Sequence, residues 1–218
     1  MALTLQALEV LAGYLPGRRI LSLGYPDLVA RAEDIRRLLG VSVTRFTDFG
    51  GWHGVDYPLP ETLHVFDAIG ARLECIDIRP SRGIERVVDL NVPCDLGSHD
   101  LVIDPGTVEH CFNIGQAILN AANAVAPGGC IYHSPPLTMI NHGFYNVSPT
   151  LLYDFYLQNG WTIEAFTGAT AKATFQIPPV ARFVAPAEAY LYCVARRTST
   201  AALRYPTQSK YLANPTLS

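Results

Sequence analysis

In the stretch DLVIDPGTVEHCFN, Asp104, Glu109, His110 and Asn113 follow closely on the apolar run Leu101, Val102 and Ile103. A short apolar run reads as a buried strand. Polar groups at its end either solvate it or face a ligand. His110 can take a proton from an acceptor hydroxyl or amine, because imidazole titrates near neutrality. Its alternative role is a structural hydrogen bond tying the loop to the next helix. Glu109 stands beside it. His142 and Tyr145 belong to NHGFYN, where Gly143 permits a tight bend. That loop closes over a substrate or simply holds the helix that follows.

Comparable residues end three other apolar runs. Gly24 ends RRILSLG, Asp77 nearly ends LECIDIR and Asp89 nearly ends IERVVDL. In open parallel sheets, ligands sit beyond the carboxyl ends of the strands. Gly24 would let a ligand approach the backbone. Asp77 can accept from the two hydroxyls of a ribose, Asp89 from an adenine amino group, and Asp104 can face an ammonium or sulfonium. The competing reading is that each aspartate caps a turn. Trp52, His53 and Tyr57 form a lid or a subunit contact. The segment 170–186 has the same two readings, with Arg182 able to pair an anionic substrate group. His133 reads as a packed core residue. His53 and His64 have no ligand spacing, so no metal is expected.

The elements that must position these groups follow from periodicity and punctuation. A short amphipathic helix is expected over 4–13 and a strand over 18–24. Asp27 is expected to cap a helix running to about Leu39 and stopping at Gly40. Residues 41–60 are irregular, and a helix covers 61–69. Strands are expected over 73–79, 84–90 and 100–104. Asn113 caps a helix over 114–126, with Gln116 completing a capping box. Pro127-Gly128-Gly129 ends that helix before a strand over 130–134. Ser148 and Pro149 open another helix that stops at Gly160. Strands 161–167 and 188–196 lack a helix between them and are expected to pair antiparallel. Alternating strands and helices imply a parallel sheet covered on both faces. Residues 1–197 read as a single domain with an irregular insertion at 41–60 and a loop at 170–186. Residues 198–218 read as a polar, loosely held tail.

The totals restrict the function classes. Of 218 residues, 49% are apolar and 16% charged, which excludes a disordered chain. Net charge is −3 and lysine occurs only at Lys172 and Lys210, so there is no basic stripe for nucleic acid. No apolar run approaches the roughly 20 residues that span a membrane. The start lacks a basic region and carries Glu9, which argues against a signal peptide. Five scattered cysteines, with no C-x-x-C, read as reduced core residues of a cytoplasmic protein.

LECIDI, VVDLN, HDLVIDPGTVEHCFN, VAPGG and NHGFYNVSPTLLYDFYLQNGW together resemble class I S-adenosylmethionine-dependent methyltransferases. The likeness is greatest to a bacterial small-molecule or sugar-type subgroup with D-L-V-I-D-x-G-T-x-E-H followed by G-H-G-F-Y-x-x-S-P. The resemblance covers roughly 18–196. It implies an α/β Rossmann-like three-layer sandwich, whose seven-stranded, mostly parallel sheet has a reversed last strand. It implies S-adenosyl-L-methionine as cofactor at Gly24, Asp77 and Asp104, with adenine near Asp89 and Leu90. Ile78 and Gly106 count with these contacts. Glu109, His110 and residues 141–146 would face the acceptor. The first motif departs from the family's acid-x-Gly-x-Gly-x-Gly: here Ser22, Pro26 and Leu28 replace the acid and two glycines, and only Gly24 remains. Asp27 is the candidate replacement carboxylate.

The expected activity is methyl transfer to an oxygen or nitrogen of a small molecule, a sugar or secondary metabolite in biosynthesis. His110 and His142 are the catalytic candidates. Glu109, Tyr145, Trp52 and Arg182 are the substrate-binding candidates. Other chemistry on the same cofactor, such as aminocarboxypropyl transfer or cyclisation, is the alternative. So is a non-catalytic binding protein of the same fold. A nicotinamide-dependent dehydrogenase fits less well, given the missing glycines and the terminal strand pair. The expected partner is a small molecule, with neither nucleic acid nor membrane, and a homodimer stays open.

Overall fold

The computed structural model describes residues 1–213. Ala2–Thr4 (β1) leads into Leu5–Leu11 (α1), whose N-terminus is capped by the Thr4 hydroxyl. Arg19–Leu23 (β2) is followed by Asp27–Val29 (β3), which pairs in parallel with β1. Ala32–Leu39 (α2) stops at Gly40. Two short strands, Phe46–Thr47 (β4) and Leu59–Pro60 (β5), pair antiparallel around a helical turn at Phe49–His53. Thr62–Ala68 (α3), Arg72–Asp77 (β6), Arg86–Val87 (β7) and His99–Asp104 (β8) come next. Then follow Ile114–Asn123 (α4), Val125–His133 (β9), Pro149–Gln158 (α5) and Thr162–Ala169 (β10). Thr174–Gln176 (β11), Tyr190–Arg196 (β12) and Ser209–Ala213 (α6) complete the described chain.

The main sheet runs β11-β10-β12-β9-β8-β2-β6-β7. Strands β9, β8, β2, β6 and β7 are mutually parallel, while β12 is antiparallel to both β9 and β10. Strand order reverses between β2 and β8, so a crevice opens beyond their carboxyl ends. Along β2, Leu21 and Leu23 join the core beneath α4 and α5, whereas Ile20 joins the core beneath α1, α2 and α3. Val102 and Leu101 divide the same way in β8. Alternate side chains of a strand face opposite ways, and here both faces are covered. That is why these strands read as continuous apolar runs.

The α/β sandwich with a reversed last strand is as expected, with some revisions. The sheet has eight strands rather than seven, because β11 forms a hairpin on β10 inside 170–186. The strand expected over 84–90 shrinks to Arg86–Val87 at the sheet edge. Leu90 leaves the sheet and turns into the core instead. Asp27 caps no helix: it begins β3, and Arg31 precedes α2. Asn113 does cap α4, but Gln116 bonds Asn120 rather than reaching back, because the Asn113 N–H donates to Asn91. β9 begins at Val125, so the Pro-Gly-Gly segment lies within that strand's span. Pro149 opens α5, yet the Ser148 hydroxyl makes no cap bond. Residues 198–213 are tied down: the Asn159 amide brackets the Arg204 backbone, and Leu203 packs on the core. Residues 214–218 of the expected tail lie outside the described residues.

Candidate functional site

The carboxyl ends of β2, β6, β8 and β9 surround one crevice. At the end of β2, Gly24 takes a φ of 90° and donates its N–H to the Ile76 carbonyl at 2.7 Å. A Cβ here would overlap the Met1 side chain and stand 3.5 Å from Asp77 Oδ2. The sequence therefore needs glycine at this point both for its conformation and for the close approach. Ser22, at the position of the family's acid, is fully buried, and its hydroxyl has no partner among the described residues.

At the end of β6, Asp77 joins Ile78, Asp89 and Leu90 around a cleft of about 150 Å³. Four of the expected cofactor contacts thus meet in one place. Asp77 Oδ1 accepts the Arg79 N–H at 3.1 Å. Asp89 Oδ1 accepts the Asn91 N–H at 2.9 Å and its amide at 2.8 Å. These bonds hold the Asp89 carboxyl below its ordinary pKa. Each aspartate therefore shapes a turn and also lines the cleft. In neither is Oδ2 used by those bonds.

Asp104 departs from expectation. It is fully buried, and its oxygens are used internally. Oδ1 accepts from Thr107 N–H at 2.8 Å and Val108 N–H at 3.3 Å, and Oδ2 lies 2.6 Å from His133 Nδ1. His133 Nε2 in turn meets the Tyr156 hydroxyl at 2.5 Å. Burial holds the Tyr156 pKa well above its ordinary value, so its hydroxyl keeps its proton and donates to Nε2, which leaves the Nδ1–H of His133 to donate to Asp104 Oδ2. No oxygen of Asp104 faces a ligand cation. Asp27 departs too. It is buried, with Oδ2 2.6 Å from Arg82 and 2.8 Å from His53. It anchors the aromatic segment instead of replacing the missing acid.

Beyond β8, a second cavity of about 280 Å³ is lined by Gly106, Glu109, His110, Ser134, His142 and Tyr190, among others. Glu109 is fully buried and neither carboxylate oxygen has a hydrogen-bond partner among the described residues. Burial, followed by the neighbouring Asp104 charge, pushes its pKa up to about 8. His142 Nε2 stands 3.7 Å from Glu109 Oε1, and His110 Nε2 stands 4.0 Å from it. The two imidazole rings are 5.3 Å apart between centroids. Burial, then His142, lowers the His110 pKa.

A third cavity, about 470 Å³, contains Tyr25, Asp27, Trp52, His53 and Arg82. Arg82 lies 3.3 Å over the Phe49 ring and 5.7 Å from Trp52, which is 73% exposed. Met1 and His110 line all three cavities.

Two substrate candidates fall elsewhere. Tyr145 packs on the core and donates its hydroxyl to the Phe112 carbonyl at 2.8 Å. That bond holds the loop to the start of α4. Arg182 lies in a separate groove with Pro149 and Lys210. The sequence reading also missed residues. Arg82 drew no notice, although it is the cation that joins Asp27 to the aromatic stretch. Glu109, His110 and His142 bring one ligand atom each within 4.8 Å of one another. Spacing along a single element gives no sign of this cluster, whose members come from the turn after β8 and the loop after β9.

No family model matches the chain, and no curated protein matches it. Solved structures are similar to it. One is a chain of the complex between the Haloferax volcanii Trm112 methyltransferase activator and a methyltransferase, 13% identical, with a TM-score of 0.50 over 89% of this chain and 88% of that one. A second is an S-adenosylmethionine-dependent methyltransferase from Mesorhizobium loti, 14% identical, TM-score 0.48, covering 88% and 96%. A third is the Burkholderia thailandensis 1,6-didemethyltoxoflavin-N1-methyltransferase with bound 1,6-didemethyltoxoflavin and S-adenosylhomocysteine, 15% identical, TM-score 0.47, covering 88% and 78%. The first of these likenesses, at 13% identity, concerns the fold alone.

Proposed function

We propose that this chain is an S-adenosylmethionine-dependent methyltransferase acting on an oxygen or nitrogen of a small molecule. The observation that carries this reading is the meeting of two unlike cavities at His110. One is walled by two carboxylates and apolar side chains, and the other contains Glu109, His110 and His142.

The first cavity fits the nucleoside half of the cofactor. Asp77 and Asp89 offer acceptor oxygens for hydroxyl and amino hydrogens, while Ile78 and Leu90 offer apolar surface to a base. When bound, S-adenosylmethionine supplies a sulfonium methyl carbon open to direct displacement. The work left to the protein is to align the nucleophile and exclude water. His110 borders both cavities and is the group best situated to orient an acceptor and receive its proton. His142 faces the same cavity from the loop after β9.

Calorimetry with S-adenosylhomocysteine tests the reading: micromolar binding that is weakened in Asp77→Asn supports it, and absence of binding ends it. Products separate the two chemistries. Methyl transfer leaves S-adenosylhomocysteine, whereas loss of the aminocarboxypropyl arm leaves methylthioadenosine. The second outcome deserves the assay because Asp104 is spent internally and Ser22 replaces the motif's acid, so the arm meets different surroundings here.

A further inference from the structure

A carboxylate withdrawn from water without a hydrogen-bond donor is strongly disfavoured, and either a proton or a cation must meet it. Glu109 is in that condition, with both oxygens unpartnered among the described residues. The groups that face it are two imidazoles.

The backbone brings these groups together by close approach. A Cβ on Gly143 would stand 2.9 Å from the Glu109 carbonyl oxygen and 3.1 Å from its Cγ. One on Gly106 would stand 3.0 Å from Oε1. The Phe144 N–H donates to the Glu109 carbonyl at 2.9 Å, fastening the loop of His142 to the turn of Glu109 and His110. Asn141 takes a left-handed φ of 64°, uncommon for a residue with a side chain.

We propose that Glu109, His110 and His142 together bind one divalent transition-metal ion in the wall of this cavity. Their ligand atoms lie within 4.8 Å of one another. Ligands around one ion bonded at about 2.0–2.2 Å stand roughly 3.0–3.5 Å apart. The required approach is on the order of 1 Å. His110 and His142 are 41% and 39% exposed and can turn to make it, while Glu109 stays fixed. Two imidazoles with one carboxylate favour Zn²⁺, Co²⁺, Ni²⁺ or Fe²⁺ over Mg²⁺. The remaining coordination positions would open on the cavity. An acceptor hydroxyl bound there would lose its proton to solvent more readily, so that with the ion in place the ion, and not the His110 imidazole, promotes that proton's loss. That use of the ion rests on the methyl-transfer reading, but binding of the ion does not.

The test is titration of chelator-stripped full-length protein with Co²⁺ alone, followed by visible absorption, and with Zn²⁺ by calorimetry. One ion per chain is expected, with a rise in Tm. Affinity should fall about a hundredfold in Glu109→Gln and in His142→Ala, with circular dichroism unchanged. Glu109→Gln preserves shape and decides the matter should His142→Ala not fold. No binding, or equal binding by wild type and Glu109→Gln, overturns the site. S-adenosylhomocysteine binding is measured in parallel. Ion binding without nucleoside binding upholds the metal site and ends the methyltransferase reading, and the reverse result overturns the metal site alone.

Discussion

Asp104 Oδ2 and His133 Nδ1 lie 2.6 Å apart with both side chains fully buried, at facing positions of adjacent parallel strands. The relay continues to Tyr156, so β8, β9 and α5 are joined by one chain of hydrogen bonds. Removing one member strands the others without water. Asp104→Ala is expected to cost about 3–5 kcal/mol of stability, read from urea denaturation. The folded variant should largely keep its affinity for S-adenosylhomocysteine, since both Asp104 oxygens are bonded internally and neither is offered to the cleft. Unchanged stability with lost nucleoside affinity would return Asp104 to the binding site.

Asp77 has the opposite expectation. Its carboxylate borders the cleft and its internal bond is a single turn contact. Hydrogen bonds to a charged group contribute about 1.5–3 kcal/mol. Asp77→Asn should weaken S-adenosylhomocysteine binding by about ten- to a hundredfold, with Tm nearly unmoved. A large drop in Tm with unchanged affinity would make Asp77 a turn residue only.

Arg82 governs the aromatic segment. It pairs with Asp27 and covers Phe49, and His53 reaches the same Asp27 oxygen. The loop bearing Arg82 is itself held by Glu85, which accepts from the Ser81 hydroxyl and from the Arg82 and Ile84 N–H groups. Arg82→Ala should speed amide hydrogen exchange across residues 49–57 while leaving β2 and β8 protected. Uniform exchange changes throughout the sheet would instead mean that the pair supports the whole fold.

Glu164 provides an acid-sensitive contact. Side-chain hydrogen bonds from Arg196 hold its carboxyl below the ordinary range. The folded pKa is depressed, so the stabilisation is complete above the unfolded value of about 4.3 and is lost as pH falls through the folded value. Glu164→Gln should therefore lower the urea midpoint at pH 6 and approach wild type as pH falls below the unfolded value. Parallel midpoint curves across that interval would show that Glu164 does not carry the effect.

The local sequence by itself determined where the central strands of the sheet and the main helices lie, though not the short strands around them. Apolar runs gave β2, β6, β8 and β12 close to their observed limits, and Asn113 caps the helix it precedes, as its place in the sequence implies. Those features depend on neighbours a few residues away, which a sequence displays directly. Asp77 and Asp104 look alike in that view, since each ends a strand. Only the tertiary structure decided between them, by setting His133 opposite Asp104 and leaving Asp77 beside the Ile78 and Leu90 wall. The same holds for Glu109 and His142, thirty-odd positions apart in the printed sequence and joined by a glycine's close approach and one backbone bond. Burial and pairing arise between distant segments, and periodicity carries no information about which partner a buried polar group will meet.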